Sequence, residues 1–505
     1  MITNLEAVIA LAKDHKVVPV IEELFSGAES PVAIFEKTAG KKPGSFLLES
    51  AEHGVWSRFS FIGVNARGVL SKDAIAGVKW TSAGNYDALP SGSDQSLPNS
   101  ALEALKLVCE KWTSAPIPGL PPLTSGLVGT LGWDIIREIE NLPPASQSAY
   151  EAPLMAFAML QDVIVMDHHT SKILLVSNIY VTDSESIQDS YNDAVARITA
   201  MRIDLIAPSE PYLASSVDSD PTTPEANMTE EQFLQAVKSA KEFVKLGDVF
   251  QVVLSQRFDL AATASALDIY RSLRALNPSP YMYVFNMQDA SGEYAVVGSS
   301  PEALVKVHNS HAVMHPIAGS RPRGKDWEED QRLEESLQAD AKERAEHLML
   351  VDLARNDLLK VCEPTSVAVT EFMQVHKFSH IQHLVSTVEG QVAAGKSVVD
   401  VFKATFPAGT LSGAPKPRAL EVIGELESQN RGLFGGVVGY FDFAGNTDLA
   451  IAIRTIFLRD GMARVQAGAG IVLDSDPKSE YEETKSKASA PLKAVHLANN
   501  LVRVT

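Results

Sequence analysis

The sequence predicts an α+β protein built on antiparallel sheet, and three observations lead there. The chain has 505 residues, 45% hydrophobic and 21% charged, enough to bury a large core as three domains or as two large lobes sharing one extended core. Its strand-like runs arrive as hairpins more often than singly between helices, as in Tyr281 to Asn286 followed by Tyr294 to Val297 across a polar turn. No Gly-x-Gly-x-x-Gly word opens a helix, and GTLSGAPK at 409–416 lacks the Gly-Lys-Ser/Thr ending of a phosphate-binding loop; together with the hairpins this argues against a doubly wound nucleotide fold.

Taken in chain order, the opening MITNLEAVIALAKDHK lacks a basic region and is interrupted by Glu6, Lys13 and Asp14, so it does not read as a signal peptide. Residues 1–207 carry short strand-like runs such as VIVMD and KILLVS between loop-rich tracts at 87–100 and 114–126, the pattern of a β-rich lobe. The stretch 208–228, with four prolines and many Ser, Thr and Asp, reads as a linker or long surface loop. Residues 229–505 then form the second unit. Thr229-Glu-Glu-Gln232 is a capping box, and Phe233, Ala236, Val237, Ala240, Phe243 and Val244 follow helical spacing until Gly247. Val249 to Leu260 is strand-like and Ala266 to Leu276 helical. No internal repeat is present.

Charge and cysteine content bound the function. With 44 basic against 63 acidic residues, a formal net of -19, there is no cationic footprint for nucleic acid. No stretch approaches the roughly eighteen uncharged apolar residues of a membrane helix. Two cysteines, Cys109 and Cys362, are too few for a disulfide framework or a zinc ribbon and fit a reducing cytoplasm.

Three constellations carry chemistry. Glu343 and Glu346 lie three apart in KERAEHLMLVDLARNDLLKV, on one side of a helix; Glu480 and Glu483 repeat the spacing, with Lys487 four residues further on. Mg²⁺ takes such carboxylates together with waters and substrate oxygens, but Glu pairs at this spacing also make solvated helix faces, so spacing alone does not establish a metal. GTLSGAPK at 409–416 and QAGAGIVLDSDPKSE at 466–480 place small residues where backbone N–H groups can approach an anion, or where the chain simply turns or bulges. Arg454 in LAIAIRTIFL, Gln251 in VFQVVLSQRF and His383 in HIQHLVSTV sit inside apolar strands. A buried arginine demands an anion, internal or bound, and His383 suits a hydrogen-bonded core histidine as well as an acid-base group.

Read in order, the words GDVFQVVLSQR, NPSPYM, SSPEALV, PIAGSRPRG, AEHLMLVDLARND, GTLSGAPKPRA, GGVVGYF, AIAIRT and QAGAGIVLDSDPKSEYEET strongly resemble the chorismate-utilising enzymes, and among them the component I family of anthranilate synthases. The resemblance runs from about residue 45 to the C-terminus and is densest after 228. It implies an α/β sandwich of two large antiparallel sheets flanked by helices. It implies that Glu346 and Glu483 ligate Mg²⁺, with Glu343 and Glu480 acting through waters, and that the ion holds the ring carboxylate of chorismate. Arg454 then pairs with the enolpyruvyl carboxylate; Gly468, Ala469, Gly470, Thr410 and Lys487 bind substrate carboxylates; Gly319 and Ser320 line the pocket. Glu302 occupies the family's acid position, Thr410 belongs to the same catalytic group, and His383 matches the histidine associated with pyruvate elimination.

Two positions separate relatives. A lysine that attacks C2 in 4-amino-4-deoxychorismate synthases is Ala318 here, and the water-activating lysine of isochorismate and salicylate synthases is Gln251; ammonia is therefore the implied nucleophile and anthranilate the implied product. One position departs from the family, since Phe434 stands where a chorismate-contacting tyrosine is common. LLES at 47–50 with NPSPYM at 277–282 resembles the tryptophan feedback site: Glu49, Ser50 and Asn277 toward the amino-acid head group, Pro280, Tyr281 and Met282 around the indole. Neither cysteine lies in a glutaminase-like nucleophile turn, so a separate glutamine amidotransferase subunit (component II) is expected to supply ammonia, in a heterotetramer of two plus two. The alternatives are a 4-amino-4-deoxychorismate synthase component I and a noncatalytic tryptophan-sensing paralogue.

Overall fold

A computed structural model describes all residues except 1–2, 28, 41, 51–57, 74–76, 91–95, 144–149, 184, 209–211, 218, 221, 378–380 and 505. Parts of the 87–100 and 208–228 tracts thus lie outside the described residues.

Alternation along the strands builds the layers. In the strand Phe59–Asp73, Phe61 enters one buried cluster and Ile62 another; in Tyr281–Asp289, Tyr283 and Phe285 go to the first and Met282 and Val284 to the second. The first cluster, with Val165, Val296, Tyr440 and Phe457, contains no helix residue: it is the interior between two sheets packed face to face. The second cluster lies outside one sheet, where helices Pro31–Thr38, Ile187–Ile206, Ala266–Leu276 and Pro477–Asn499 cover it. A third lies outside the other sheet, beneath helices Ala101–Lys111, Glu230–Leu246, Ala341–Leu359 and Lys416–Leu426. The result is the α+β sandwich the resemblance implies.

Long strands pass from one sheet into the other. In Gln251–Ala261, Val252 and Leu254 face the third cluster while Phe258 and Leu260 face the second, and the paired strand Met462–Ile471 makes the same passage. The pairing is therefore continuous, and among the described residues 21 strands join one network.

The local readings compare closely with the observed elements. Thr229 and Gln232 close a reciprocal capping box on helix Glu230–Leu246, and Gly247 ends it at φ 83°. Helix Ala266–Leu276 has the expected bounds, while strand Gln251–Ala261 starts two residues later than read, with Phe250 N–H donating to the Ala414 carbonyl just before it. The 208–228 tract is anchored, through Ala214–Ser216 on Leu501–Arg503 and Glu225–Ala226 on Gln251–Ala261. The halves on either side of it share both sheets: Ser45–Glu49 pairs with Tyr281–Asp289, and Leu127–Leu131 with Val437–Phe441.

Candidate active site

Glu302 follows Pro301, which lacks an N–H and separates strands Gly292–Ser300 and Ala303–His308. Its backbone is fixed by the Ile451 N–H, which donates to the Glu302 carbonyl at 2.9 Å. Its carboxylate accepts the Thr410 hydroxyl, Oγ1 to Oε1 2.9 Å. Burial pushes this carboxyl up to about 7, against the hydrogen bond from Thr410 and the charges of Arg454 and Lys487, which pull it down. A glutamate tuned this way is a proton donor near neutral pH.

Arg454 is not in mid-strand. Thr447–Ile451 ends before it and Thr455–Arg459 begins after it, and the arginine takes φ 49°, a left-handed conformation that costs a non-glycine residue about 1 to 2 kcal/mol. The neighbouring backbone enforces it: Ser299 N–H donates to the Arg454 carbonyl (3.3 Å), and Ala452 exchanges hydrogen bonds with Gly435 and Gly436. Strain of this kind is retained where a site needs the side chain in one place. Burial lowers the guanidinium's pKa, while Glu302 raises it.

His383 lies on strand Ile381–Gln391, opposite Ser320 of Ile317–Pro322. The ladder slips by one residue at Gly319, which adopts φ 73°, a bulge conformation suited to glycine. His383 Nδ1 is 3.0 Å from the Gly319 carbonyl and 3.0 Å from Ser320 Oγ. A carbonyl only accepts, so Nδ1 carries the proton and Nε2 the lone pair. Burial lowers the histidine's pKa, opposed by the Gly319 hydrogen bond and aided by Arg454.

The glycine-rich word 466–470 is neither turn nor bulge. Gly468, Ala469 and Gly470 lie inside Met462–Ile471, paired with Ser255, Leu254 and Val253. A Cβ on Gly468 would lie 2.9 Å from the Leu254 carbonyl, a close backbone approach that calls for glycine, whereas at Gly470 the near atom, 2.6 Å away, is the end of the Gln251 side chain, which can move aside. Lys487 Nζ donates to the Gly468 carbonyl (3.0 Å) and pairs with Glu483 (2.7 Å).

Glu302, His383, Thr410, Arg454, Gly468 and Lys487 converge on one cavity of about 480 Å³, with Ala318, Ser320 and Phe434 also in its wall. Gly319 is at its margin through His383, Ala469 turns into the helix-covered core, and Gly470 lies one step along the strand. Pro301, Ile453 and Gln466 are also in the wall; their types carry no chemical signal a sequence reading could use. The four glutamates do not line the cavity, and among the described residues no three His, Cys, Asp or Glu side chains sit close enough to hold a metal. They nevertheless sense one another. Glu346 is raised by burial and then by Glu343 and Glu483, and Glu480 by burial and then by Glu483.

The residues of the second motif pair are split. Glu49 and Met282 are register partners, and the Glu49 carboxylate is buried against Arg274. The Ser50 hydroxyl is buried and, among the described residues, has no hydrogen-bond partner. Met282 packs among Ile269 and Leu273, whereas Tyr281 points to the other face and donates to Asp448 (2.9 Å). Asn277 and Pro280 belong to the wall of the 480 Å³ cavity, and Asn277 Nδ2 donates to Ser299 Oγ at 3.2 Å.

A family model described as chorismate binding enzyme matches residues 64–493. Anthranilate synthase component 1 of Arthrobacter globiformis is 47% identical over 517 residues, covering 99% of this chain and 94% of that protein; the Acetivibrio thermocellus counterpart is 40% identical over 99% of both. Among solved structures, anthranilate synthase component I from Streptococcus pneumoniae superposes with a TM-score of 0.73 at 33% identity, covering 93% of this chain and 99% of that one. The menaquinone-specific isochorismate synthase of Escherichia coli, at 18% identity and a TM-score of 0.67, shares the fold.

Proposed function

The chain belongs to the chorismate-binding enzymes, and from that premise we propose that it is the chorismate-converting component of an anthranilate synthase, a lyase acting on chorismate and ammonia. The observation that carries this reading is the Thr410–Glu302 pair: a carboxyl pushed up to about 7, set in the same cavity as Arg454, Lys487 and His383.

The chemistry follows from those groups. Ammonia attacks C2 of the ring, the ring double bonds shift, and the C4–O bond breaks; protonated Glu302 delivers its proton to the departing hydroxyl, which leaves as water. His383 Nε2 then takes the C2 proton and the C3–O bond breaks, so that the ring becomes aromatic. The leaving group is the enolate of pyruvate, which takes a proton at its methylene carbon to become pyruvate, and the ammonium formed at C2 gives up a proton to solvent. Chorismate is a dianion and the chain carries a formal net charge of -19, so binding relies on local cations and donors. Arg454 offers a planar fork to one carboxylate, and Lys487 stands beside the Gly468 carbonyl.

The donor chemistry of Glu343, Glu346, Glu480 and Glu483 fits Mg²⁺, all hard oxygens, and Glu346 and Glu480 are raised first by burial and then by the neighbouring carboxylates, a crowding that a cation would relieve. When bound, the ion would neutralise a substrate carboxylate. Ala318 and Gln251 supply no lysine nucleophile or base, which favours anthranilate over aminodeoxychorismate or isochorismate. Both cysteine thiols are pushed up by burial, Cys362 to about 11, the opposite of an activated nucleophile. A glutamine amidotransferase partner is thus the proposed ammonia source. No described helix is long and apolar enough to cross a membrane.

Incubating the purified chain with chorismate, Mg²⁺ and ammonium at alkaline pH is expected to yield fluorescent anthranilate. Aminodeoxychorismate or isochorismate as product would overturn the assignment. Tryptophan is proposed to inhibit this turnover from a site at Glu49, Ser50 and the 277–282 segment, a coupling between two sites supported by Asn277 and Pro280 bordering the cavity. Ser50→Phe puts a bulky ring in place of the hydroxyl at the proposed head-group position, so inhibition by tryptophan should be lost while uninhibited turnover persists; full sensitivity in this variant would displace the effector from this position.

A further inference from the structure

Behind the cavity wall lies a buried ion pair that the reaction scheme does not use. Arg431 is 1% exposed. It donates to both Glu427 carboxylate oxygens (Nε to Oε2 2.8 Å, Nη2 to Oε1 2.7 Å), to the Leu411 carbonyl from Nη1 (2.7 Å) and to the Val253 carbonyl from Nη2 (2.7 Å). Glu427 also accepts from Ser255 N–H at 2.8 Å and from its hydroxyl at 2.9 Å. The guanidinium lies 4.4 Å from the Trp133 ring centroid and 5.7 Å from that of Phe434.

Stability alone does not account for this arrangement, because apolar side chains of similar volume commonly replace a buried pair at no loss. What the pair holds is the cavity wall. Leu411 directly follows Thr410 in a helix of four residues, Gly409–Ser412, too short to keep its own shape, and Gly413 behind it stands at φ 128°. Leu411 and Phe434 both line the cavity. Val253 belongs to the strand that carries the Gly468–Gly470 segment in register.

We propose that Arg431, oriented by Glu427, is a positioning residue: by fixing the Leu411 carbonyl it keeps the Thr410 hydroxyl on Glu302 and the Phe434 ring against the substrate cavity. The proposal rests on the functional reading above for its catalytic consequence and on geometry alone for the hydrogen bond. The charged groups facing Glu302 are Arg454 and Lys487 and, across an adjoining chamber of about 40 Å³, His315 and Asp357. Asp357 is itself paired with Lys416 and Lys360. None of these is bonded to Arg431, so releasing Arg431 alters the Thr410 contact selectively.

The test is the full chain carrying Arg431→Met with Glu427→Gln, which removes both charges and keeps an acceptor for Ser255. Infrared titration of the Glu302 carboxyl, assigned by its absence in Glu302→Gln, is the first readout. The Thr410 bond favours the ionised form, so its loss should move the midpoint above the parent's, as Thr410→Val should, with no further shift when the changes are combined. The second is ammonia-dependent kcat, expected to fall about a hundredfold, with KM for chorismate changed less than about threefold. A folded double variant with the parent's midpoint and kcat would overturn the proposal. If that variant does not fold, Arg431→Lys, with three donors for four acceptors, should show the same upward shift, and an unmoved midpoint overturns the proposal equally. A parent chain that yields no anthranilate refutes the functional reading, while the titration still decides the positioning.

Discussion

Replacing Glu302 by Gln should lower ammonia-dependent anthranilate formation by about 10² to 10⁴, the range that general acid catalysis supplies. The departing C4 hydroxide is a poor leaving group, and glutamine keeps the shape and the Thr410 contact but holds no acidic proton. The proton's linkage to folding argues against loss of folding as the cause. The parent's folded-state pKa, about 7, lies above the ordinary 4.5, so the stability tied to this proton is full below pH 4.5 and is lost as pH rises through 7. A permanently neutral amide avoids that alkaline penalty, and Glu302→Gln should melt no lower than the parent above neutrality. Plotted against free ammonia, the parent's rate should fall as pH rises through about 7, when the acid ionises, and the variant's residual rate should lack that limb. A Gln variant within tenfold of the parent would remove Glu302 from the acid role.

What could be read from the sequence was local or ordered. The Thr229–Gln232 capping box and the Tyr281–Asp289 hairpin with Gly292–Ser300 rest on neighbours in the chain, so propensity and periodicity suffice. The passage of Gln251–Ala261 between two sheets was not legible, because Val252, Leu254, Phe258 and Leu260 are all apolar and only tertiary packing decides which layer each one meets. In the site, motif order placed Glu302, His383, Thr410, Arg454, Gly468 and Lys487, which share one cavity. It did not place Arg454 between strands at φ 49°, since arginine has no left-handed preference to betray the turn. It also hid Glu427 and Arg431, whose i, i+4 spacing is that of an ordinary exposed helix pair, although the pair is buried and holds the cavity wall. The 466–470 glycines looked like a turn for the same reason: glycine serves both turns and close backbone approach, and only the partner strand distinguishes them.

Arg454→Ala should reduce kcat/KM for chorismate by at least about thirtyfold and up to several thousandfold, as expected when one partner of a buried, hydrogen-bonded charge pair is truncated at about 2 to 5 kcal/mol. Arg454→Lys should recover only part, because an ammonium lacks the bidentate fork. Arg454→Gly separates stability from binding. It relieves the left-handed strain at φ 49°, so it should melt at or above the temperature of Arg454→Ala while binding chorismate no better. The pH profile gives an independent sign. Arg454 pulls the Glu302 carboxyl down and the His383 imidazole down; removing its charge raises both. The acid then stays protonated to higher pH, and the base needs higher pH to become neutral, so both limbs of the residual activity should move in the alkaline direction together. An unchanged profile, or limbs that move apart, would mean that Arg454 does not set the electrostatics of the acid-base pair, even if it binds the substrate.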